Sequence, residues 1–394
     1  MLKYFLLSIL FIATLQQSKV YFTKEITPSK IVEMFKKLNV TLTGNIGLKV
    51  HTGELGGKYF LTPDFLQEIY NYLNGTFIEC NTAYVRNRHT TAFHKEVLKI
   101  HGWVNNSRRA DIMDENPEED FKLEIKNGKV IHEDYVGGHL KNYDSCLVLA
   151  HFKGHPVGGF GGALKQLSIG FASQRGKSHI HSAGRTTNWT DMTIGEASPE
   201  NFTSAMGDAA SSIVDYFRKK GNIAFINVLV NVSLHCDCRG PLAPAPKIRD
   251  FGIFASLDPV AIDRACLDMI KTYKDEGTDE LFSQIEKFDG ENIINAAEEH
   301  GIGSQNYVLI DVDENEKEEE KEEEKENEDD DKDKDGNKKD DSNLMVIIIV
   351  CVVFSIIAIG IFVFILVCFM RKPKKEKEVG NDEEGTSEKI LPEN

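Results

Sequence analysis

Short apolar runs alternate with longer amphipathic runs between residues 18 and 310. The apolar runs predict strands at residues 45–50, 76–80, 145–150, 222–232, 252–256 and 307–310. The amphipathic runs predict helices at residues 29–38, 62–73, 90–100, 199–220, 258–271 and 293–300. Strands that alternate with helices indicate an α/β fold with a largely parallel sheet and flanking helices. The near-continuous apolar character of 226–232 is typical of a strand covered on both faces.

The two ends of the chain predict a secreted body held by a membrane anchor. Residues 1–17 resemble a signal peptide, because Lys3 precedes an apolar run that is too short to span a bilayer. A small-residue cleavage site is not evident, so an uncleaved anchor is the alternative. Residues 344–370 form an uncharged apolar run of 27 residues, which predicts one transmembrane helix.

Charge sets the orientation of that helix and the nature of the segment before it. Four basic residues within 371–375 place the tail, residues 371–394, in the cytoplasm, and the body, residues 18–310, outside or in a lumen. Residues 311–341 hold 19 acidic residues and 7 lysines, so they contribute −12 of the formal net charge of −16. We expect an acidic, disordered stalk over 311–343. The location predicted is the cell surface or an endomembrane, and nucleic-acid binding is excluded.

Glycosylation acceptors fit this location. The pattern Asn-x-Ser/Thr marks exposed asparagines in secreted proteins, and the candidates are Asn39, Asn74, Asn105, Asn188 and Asn201. Asn231 has the same pattern but lies inside the predicted strand 222–232, so we do not expect its modification.

Polar clusters follow the predicted strands directly. Because the carboxyl ends of parallel strands bind ligands in open α/β sheets, these clusters predict one cleft. Lysines there suit a phosphate or carboxylate, and histidines suit a metal or proton transfer. The ligand-binding candidates are Lys49, His51, Glu54, Asn81, Thr82, Tyr84, Lys153, Gly158, Gly161, Lys165, Lys177, Asp237 and Asp263; the metal candidates are His151, His155, His181, Cys236 and Cys238.

Five of the seven cysteines lie in the body, which is too few for a disulfide scaffold. Cys236 and Cys238 are one residue apart, a spacing shorter than zinc sites normally use. A disulfide from either to Cys80 or Cys146 is the alternative to a metal. Cys266 lies on a predicted helix and is expected to be a buried, inert thiol.

The ordered clusters resemble one known family over residues 43 to 311. The matching stretches are 48–54 (LKVHTGE), 79–84 (ECNTAY), 150–155 (AHFKGH), 158–165 (GGFGGALK), 170–177 (GFASQRGK), 181–182 (HS), 237–238 (DC) and 256–263 (SLDPVAID). The chain is similar to the family named domain of unknown function 362, often described as uncharacterised iron–sulfur proteins. The resemblance implies a fold and a site, and it implies no established reaction.

One feature of the family is absent from this chain. Many relatives insert two ferredoxin-like cysteine motifs after the histidine that matches His181, whereas residues 183–202 contain no cysteine. Because such clusters need four thiolates each, no iron–sulfur cluster is expected. A divalent metal is the cofactor that the remaining candidates would suit.

Two hypotheses of different classes follow. In the first, the anchored body binds an anionic small molecule or a metal-dependent cofactor in a lysine- and histidine-lined cleft, as an enzyme or as a binding protein. In the second, the body is a non-enzymatic surface receptor or adhesion protein with a protein partner. The first requires six residues to converge on one cavity: Lys49, His51, His151, Lys153, His155 and Lys165. The second expects an exposed apolar patch.

Overall fold

The computed structural model describes residues 17–191, 195–235 and 237–315, without the side chain of Cys238. Residues 1–16 of the predicted signal peptide, residues 316–343 of the stalk, the predicted membrane helix, the tail and Cys236 lie outside these ranges. Within them, none of the helices has both the length and the apolar character that a membrane span requires.

Twelve strands lie in the described part of the chain. They are β1 (Ser18–Thr23), β2 (Ile46–Lys49), β3 (Thr76–Glu79), β4 (Ala110–Ile112), β5 (Phe121–Glu124), β6 (Glu133–Val136), β7 (Ser145–His151), β8 (Lys153–His155), β9 (Gly159–Gly161), β10 (Ile223–Leu229), β11 (Gly252–Ser256) and β12 (Tyr307–Asp311). Eight form one sheet in the order β12–β1–β11–β10–β7–β2–β3–β4. Only the two pairings of β11 are antiparallel, which confirms a largely parallel sheet.

Helices flank this sheet, as predicted. In the described ranges they are α1 (Pro28–Lys37), α2 (Gln67–Leu73), α3 (Thr91–Ile100), α4 (Ala163–Lys165), α5 (Gln174–His181), α6 (Pro199–Lys220), α7 (Pro259–Thr272), α8 (Thr278–Lys287) and α9 (Asn292–Glu299). A π-helical turn, Gln166–Gly170, continues α4. The predicted start of α7 is confirmed, because Asp258 Oδ1 accepts from the N–H groups of Val260 and Ala261, both at 2.8 Å.

The sheet carries a separate apolar core on each face. In β10, Phe225 and Leu229 belong to the core beneath α6 and α7, whereas Ala224, Ile226 and Val228 belong to the core beneath α1 and α2. This alternation is the two-residue period of a strand. Burial on both faces therefore explains the near-continuous apolar run that the sequence shows there.

Each of the six predicted strands is present, and three predicted boundaries, of one strand, one helix and the stalk, differ from the structure by more than one residue. β10 ends at Leu229 because Asn231 adopts a φ of 51°, in the left-handed region, so Asn231 does not lie in a strand as expected. α2 begins at Gln67, not at residue 62, because Thr62 Oγ1 accepts from Phe65 N in a separate turn. The stalk boundary at 311 is too early, since Val312 is buried and Asp313 accepts from Thr23.

Candidate functional site

Four parallel strands, β10, β7, β2 and β3, end at the same edge of the sheet, and a cavity of about 240 Å³ lies there. Ten of the predicted candidates line it: His51, Thr82, Tyr84, His151, Lys153, His155, Gly161, Lys165, Lys177 and His181. Six others lie behind its walls: Lys49, Glu54, Asn81, Gly158, Asp237 and Asp263. Cys236 and the Cys238 side chain lie outside the described residues.

Lys49 forms part of the floor and does not face the cavity. Its Nζ donates to Val50 O at 2.7 Å, to Glu79 Oε1 at 2.8 Å and to Gln166 Oε1 at 3.1 Å, and the residue is fully buried. An ammonium group has three hydrogens, and all three are used here. Lys49, a predicted ligand-binding residue, therefore holds Glu79 in place and does not line the cavity.

Arg88 connects Glu79, in this floor, to Glu54 and His51, which follow β2. It donates to Glu54 Oε1 at 3.0 Å and to Glu79 Oε2 at 3.3 Å, and its Nη2 lies 3.2 Å from His51 Nε2. Burial alone would raise the pKa of Glu79, but the charges of Lys49 and Arg88 hold it well below its usual range. Glu54, a predicted ligand-binding residue, therefore supports Arg88 and does not line the cavity.

Asn81, at the end of β3, also has a structural role. Its Nδ2 donates to Thr91 Oγ1 at 3.0 Å, and its Oδ1 lies 3.1 Å from His94 Nδ1. Both partners belong to α3. Asn81 therefore fixes α3 against the end of β3 and leaves the cavity to Thr82 and Tyr84.

His151, Asp237 and Lys153 form a second buried charge cluster. His151 Nδ1 lies 2.9 Å from Asp237 Oδ2, and Lys153 Nζ lies 2.7 Å from the same oxygen. His151 Nε2 lies 2.6 Å from the main-chain oxygen of Val230. Burial would raise the pKa of Asp237, but His151 and Lys153 hold it well below its usual range.

Within this cluster, both ring nitrogens of His151, a predicted metal ligand, have oxygen atoms close by. Both of its ring nitrogens face oxygen acceptors, so the geometry is satisfied when each nitrogen donates a hydrogen. A donating nitrogen has no lone pair for a metal. Asp237 likewise serves the two cations and does not line the cavity.

His155 lies at the turn between β8 and β9. Its Nδ1 accepts from Gly158 N at 3.0 Å and from Val157 N at 3.3 Å. In the neutral ring the hydrogen is therefore on Nε2. Gly158 contributes this backbone donor rather than a wall of the cavity.

Aromatic rings form one wall. His181 stacks on Phe202 with centroids 4.6 Å apart and meets the edge of Trp189 at 5.7 Å, and Tyr84 lies 6.5 Å from Trp189. Burial first, and then the charges of His155 and other nearby cations, lower the pKa of His181 to about 3. His181 is therefore neutral near pH 7, and this wall is uncharged.

Lys165 lies on the short helix α4, whose first turn is hydrogen-bonded to a carboxylate of α7. The N–H groups of Ala163 and Leu164 donate to the Asp263 carboxylate at 2.8 and 3.0 Å, and Asn227 Nδ2 donates to it at 2.7 Å. Asp263, a predicted ligand-binding residue, thus accepts hydrogen bonds from this helix end and does not line the cavity. Asp263 positions Lys165 instead.

The cavity has an excess of positive charge. Of the charged side chains that line it, Arg88, Lys153, Lys165 and Lys177 are cations, and Glu79 is an anion. The carboxylates behind the walls neutralise Arg88 and Lys153. Lys177 is buried, and its Nζ donates to the main-chain oxygen of Ala172 at 2.5 Å. The arrangement favours an anion at neutral pH.

Within the described residues, no group of three or more His, Cys, Asp or Glu side chains could hold a metal ion. Cys80, Cys146 and Cys266 are free, buried thiols, so the alternative of a disulfide to Cys80 or Cys146 is wrong. Burial raises the pKa of all three, as expected for the inert Cys266. The iron–sulfur clusters of the family do not fit, since residues 183–202 contain no cysteine.

Sequence reasoning missed four important lining residues: Glu79, Arg88, Gln166 and Trp189. Glu79 was visible as a carboxylate near the end of the predicted strand 76–80. Arg88 and Trp189 lie in loops, where no periodic pattern marks a residue as inward-facing. Gln166 lies in the π-helical turn, which departs from the helical period.

The five predicted glycosylation acceptors all lie at exposed positions: Asn39, Asn74, Asn105, Asn188 and Asn201. Asn231 is only partly exposed. The structure therefore leaves room for a glycan at each predicted acceptor, and the modification stays a prediction.

The chain matches the profile of a family described as Domain of unknown function (DUF362) over residues 46–268. No curated protein matches it. A structural genomics protein from Thermotoga maritima is similar, with 14% identity and a TM-score of 0.39, over 62% of this chain and 59% of that one. The lactate racemase apoprotein from Thermoanaerobacterium thermosaccharolyticum has 14% identity and a TM-score of 0.32, over 54% of this chain and 51% of that one. This chain thus covers less than two thirds of each.

Proposed function

The chain belongs to the family described as domain of unknown function DUF362, and we propose that its folded body binds a small anionic molecule in the cavity at the carboxyl edge of the sheet. One observation carries the proposal. Five of the six residues that the binding hypothesis requires line this one cavity: His51, His151, Lys153, His155 and Lys165. Lys49, the sixth, supports its floor.

The buried ion pairs preorganise the side chains around the cavity. Glu79 and Asp237 are each held by two cations, so the cationic side chains around them are fixed before a ligand arrives. A preorganised site does not lose free energy in ordering its side chains on binding. At about 240 Å³ the cavity lies just below the usual size range of ligand pockets, which indicates a small ligand.

We also propose that this body is held outside the cytoplasm by one membrane helix, residues 344–370. The apolar run and the basic residues after it support that orientation, as do the exposed acceptor asparagines. Protease digestion of intact and permeabilised cells tests it. We expect the body to be cleaved in intact cells if it lies at the surface, or only after the vesicle membrane is opened if it lies in a lumen. Cleavage of the body in unopened vesicles, from the cytoplasmic side, would contradict the proposal.

Calorimetric titration of the full chain in detergent tests the binding function. Acetate, benzoate, sulfate and inorganic phosphate serve as anions, and ethylammonium serves as the cationic control. We expect saturable binding of at least one anion and none of the cation. Loss of a charge-assisted hydrogen bond of about 1.5–3 kcal/mol predicts roughly tenfold to hundredfold weaker binding in Lys165→Met.

The matched control is Lys219→Met. Lys219 is 66% exposed, close to the end of α6 that leads into the amino end of β10, so it lies at the opposite edge of the sheet from the cavity. Equal affinity in Lys165→Met and Lys219→Met would contradict the proposed site. A stable body that binds none of the anions would favour the receptor hypothesis.

A further inference from the structure

We propose that the loops around the cavity dock on the surface of a phospholipid bilayer that contains anionic lipids. The inference goes beyond the proposed function, because it concerns the outer surface of these loops and requires no ligand in the cavity. It depends on four exposed apolar side chains, on the charges beside them, and on the edge of the sheet at which they lie.

Four exposed apolar side chains lie in loops that follow the strands of the cavity. They are Leu55 after β2, Val85 after β3, Val157 between β8 and β9, and Leu242 after β10. The exposed fraction is between 38% for Leu55 and 79% for Val85. Single exposed apolar residues are common, but a group of them at one edge of a sheet indicates an interaction surface. We call these four residues the apolar rim.

The loops that carry the apolar rim contact each other. A Cβ at Gly56, in the loop after β2, would lie 3.6 Å from the ring of Pro241, in the loop after β10. Tyr84, in the loop after β3, donates to Glu54 Oε1 at 3.0 Å, and it lines the same cavity as Val157. The rim residues therefore belong to one surface around the cavity.

The charges of this surface suit an anionic partner. Acidic residues make up 62 of the 394 residues of the chain. None occurs in the segments that carry the apolar rim, which are residues 55–60, 83–90, 156–160 and 239–246. Lys58 and Arg239, in two of these segments, are exposed, and neither forms an ion pair within the described residues. Basic side chains beside exposed apolar ones are typical of surfaces that bind anionic lipids.

A bilayer suits this surface better than a protein partner does. The receptor hypothesis also expects an exposed apolar patch. Here, however, the exposed side chains stand on four separate loops, and a fluid lipid interface receives them without a fixed complementary shape. The cations would contact headgroup phosphates while the apolar groups enter the interface.

The position of the apolar rim in the sheet also supports a bilayer. β12 runs in the same direction as β10, so the chain leaves the sheet at the edge that carries the rim. Asp311, the acidic residue that ends β12, lies three strands from β10 and thus away from the rim. The apolar run 344–370, which we propose as a membrane helix, would keep a bilayer within reach of the body.

Quenching of tryptophan emission by brominated lipids tests the inference. The full chain is reconstituted in vesicles of brominated phosphatidylcholine and phosphatidylglycerol. The rim variant is Val85→Trp, and the control is Tyr72→Trp. Tyr72 is 51% exposed at the end of α2 that leads into the amino end of β3, at the opposite edge of the sheet. Both variants keep Trp103 and Trp189, which contribute equally to both.

We expect stronger quenching in Val85→Trp than in Tyr72→Trp, and weaker quenching of Val85→Trp when phosphatidylglycerol is omitted. Adding Lys58→Ala and Arg239→Ala to Val85→Trp should lower the ratio of docked to undocked body roughly thirtyfold, from the usual contribution of two basic residues at an anionic surface. Thermal melting in detergent confirms that each variant is folded.

Equal quenching of the two tryptophan variants would overturn the inference and leave the apolar rim to a protein partner. Quenching of Val85→Trp that neither the omission of phosphatidylglycerol nor the two alanine substitutions alters would also overturn it. These outcomes are separate from the proposed function, because calorimetry in detergent measures anion binding without a bilayer.

Discussion

The buried carboxyl of Asp134 is expected to make the stability of the body depend on pH. Asp134 lies on β6 with no exposed surface, and Ser212 Oγ donates to its Oδ2 at 2.9 Å. No described residue makes a hydrogen bond to its Oδ1. Burial raises the pKa of Asp134 to about 7, from an ordinary value of 3.8. Replacing it with asparagine, which stays neutral, removes this effect.

The sign follows from proton binding. Between pH 3.8 and about 7 the folded state binds the Asp134 proton more tightly than the unfolded state does. Stability therefore falls as the pH rises through this window, and the loss is complete above about pH 7. At 1.36 kcal/mol per pKa unit, the full effect is on the order of 4 kcal/mol. Asp134→Asn should therefore gain stability relative to the wild type as the pH rises.

Thermal melting of the full chain between about pH 4 and pH 8 measures this. Each kcal/mol shifts the melting temperature of a domain of 150–250 residues by about 2–4 °C. The control is Asp215→Asn, because Asp215 is a half-exposed carboxylate on α6, the helix that carries Ser212. A difference between Asp134→Asn and wild type that stays constant across this pH range would refute the reasoning.

Three further predictions concern the walls of the cavity and the location of the body. Asp237→Asn leaves two buried cations without their carboxylate and should lower the free energy of unfolding by about 3–5 kcal/mol, measured by denaturant titration. Gly170→Ala would place a Cβ 2.6 Å from Gln166 Oε1 and should cost about 1–3 kcal/mol; Gly195→Ala, with nothing within 4 Å, should be neutral in the same assay. Glycosidase treatment should lower the apparent mass of the protein from eukaryotic cells, and Asn231→Gln should leave that mass change unaltered.

Six of the twelve described strands were predictable from the sequence, because strands buried on both faces, such as β7 and β10, appear as apolar runs. Their order in the sheet was not, since the antiparallel placement of β11 depends on pairings between segments far apart in the chain. The convergence of polar residues followed from the rule for parallel strands. Which of these residues support the floor and which line the cavity could not be predicted, because it depends on partners such as Arg88 that no local pattern identifies.

The residues that support the floor and the residues that line the cavity come from different segments of the chain. Lys49 and Glu79, at strand ends, and Asp237, in the segment after β10, bind other buried charges, so replacing one leaves a charge without its partner and destabilises the fold. Lys165 and Trp189 come from α4 and from the loop after α5, beyond the sheet. The cavity can therefore change its ligand by substitutions in these later segments while the strand ends keep their charges. Exchange of Lys165 should alter which anion binds, whereas exchange of Lys49 should alter whether the body folds.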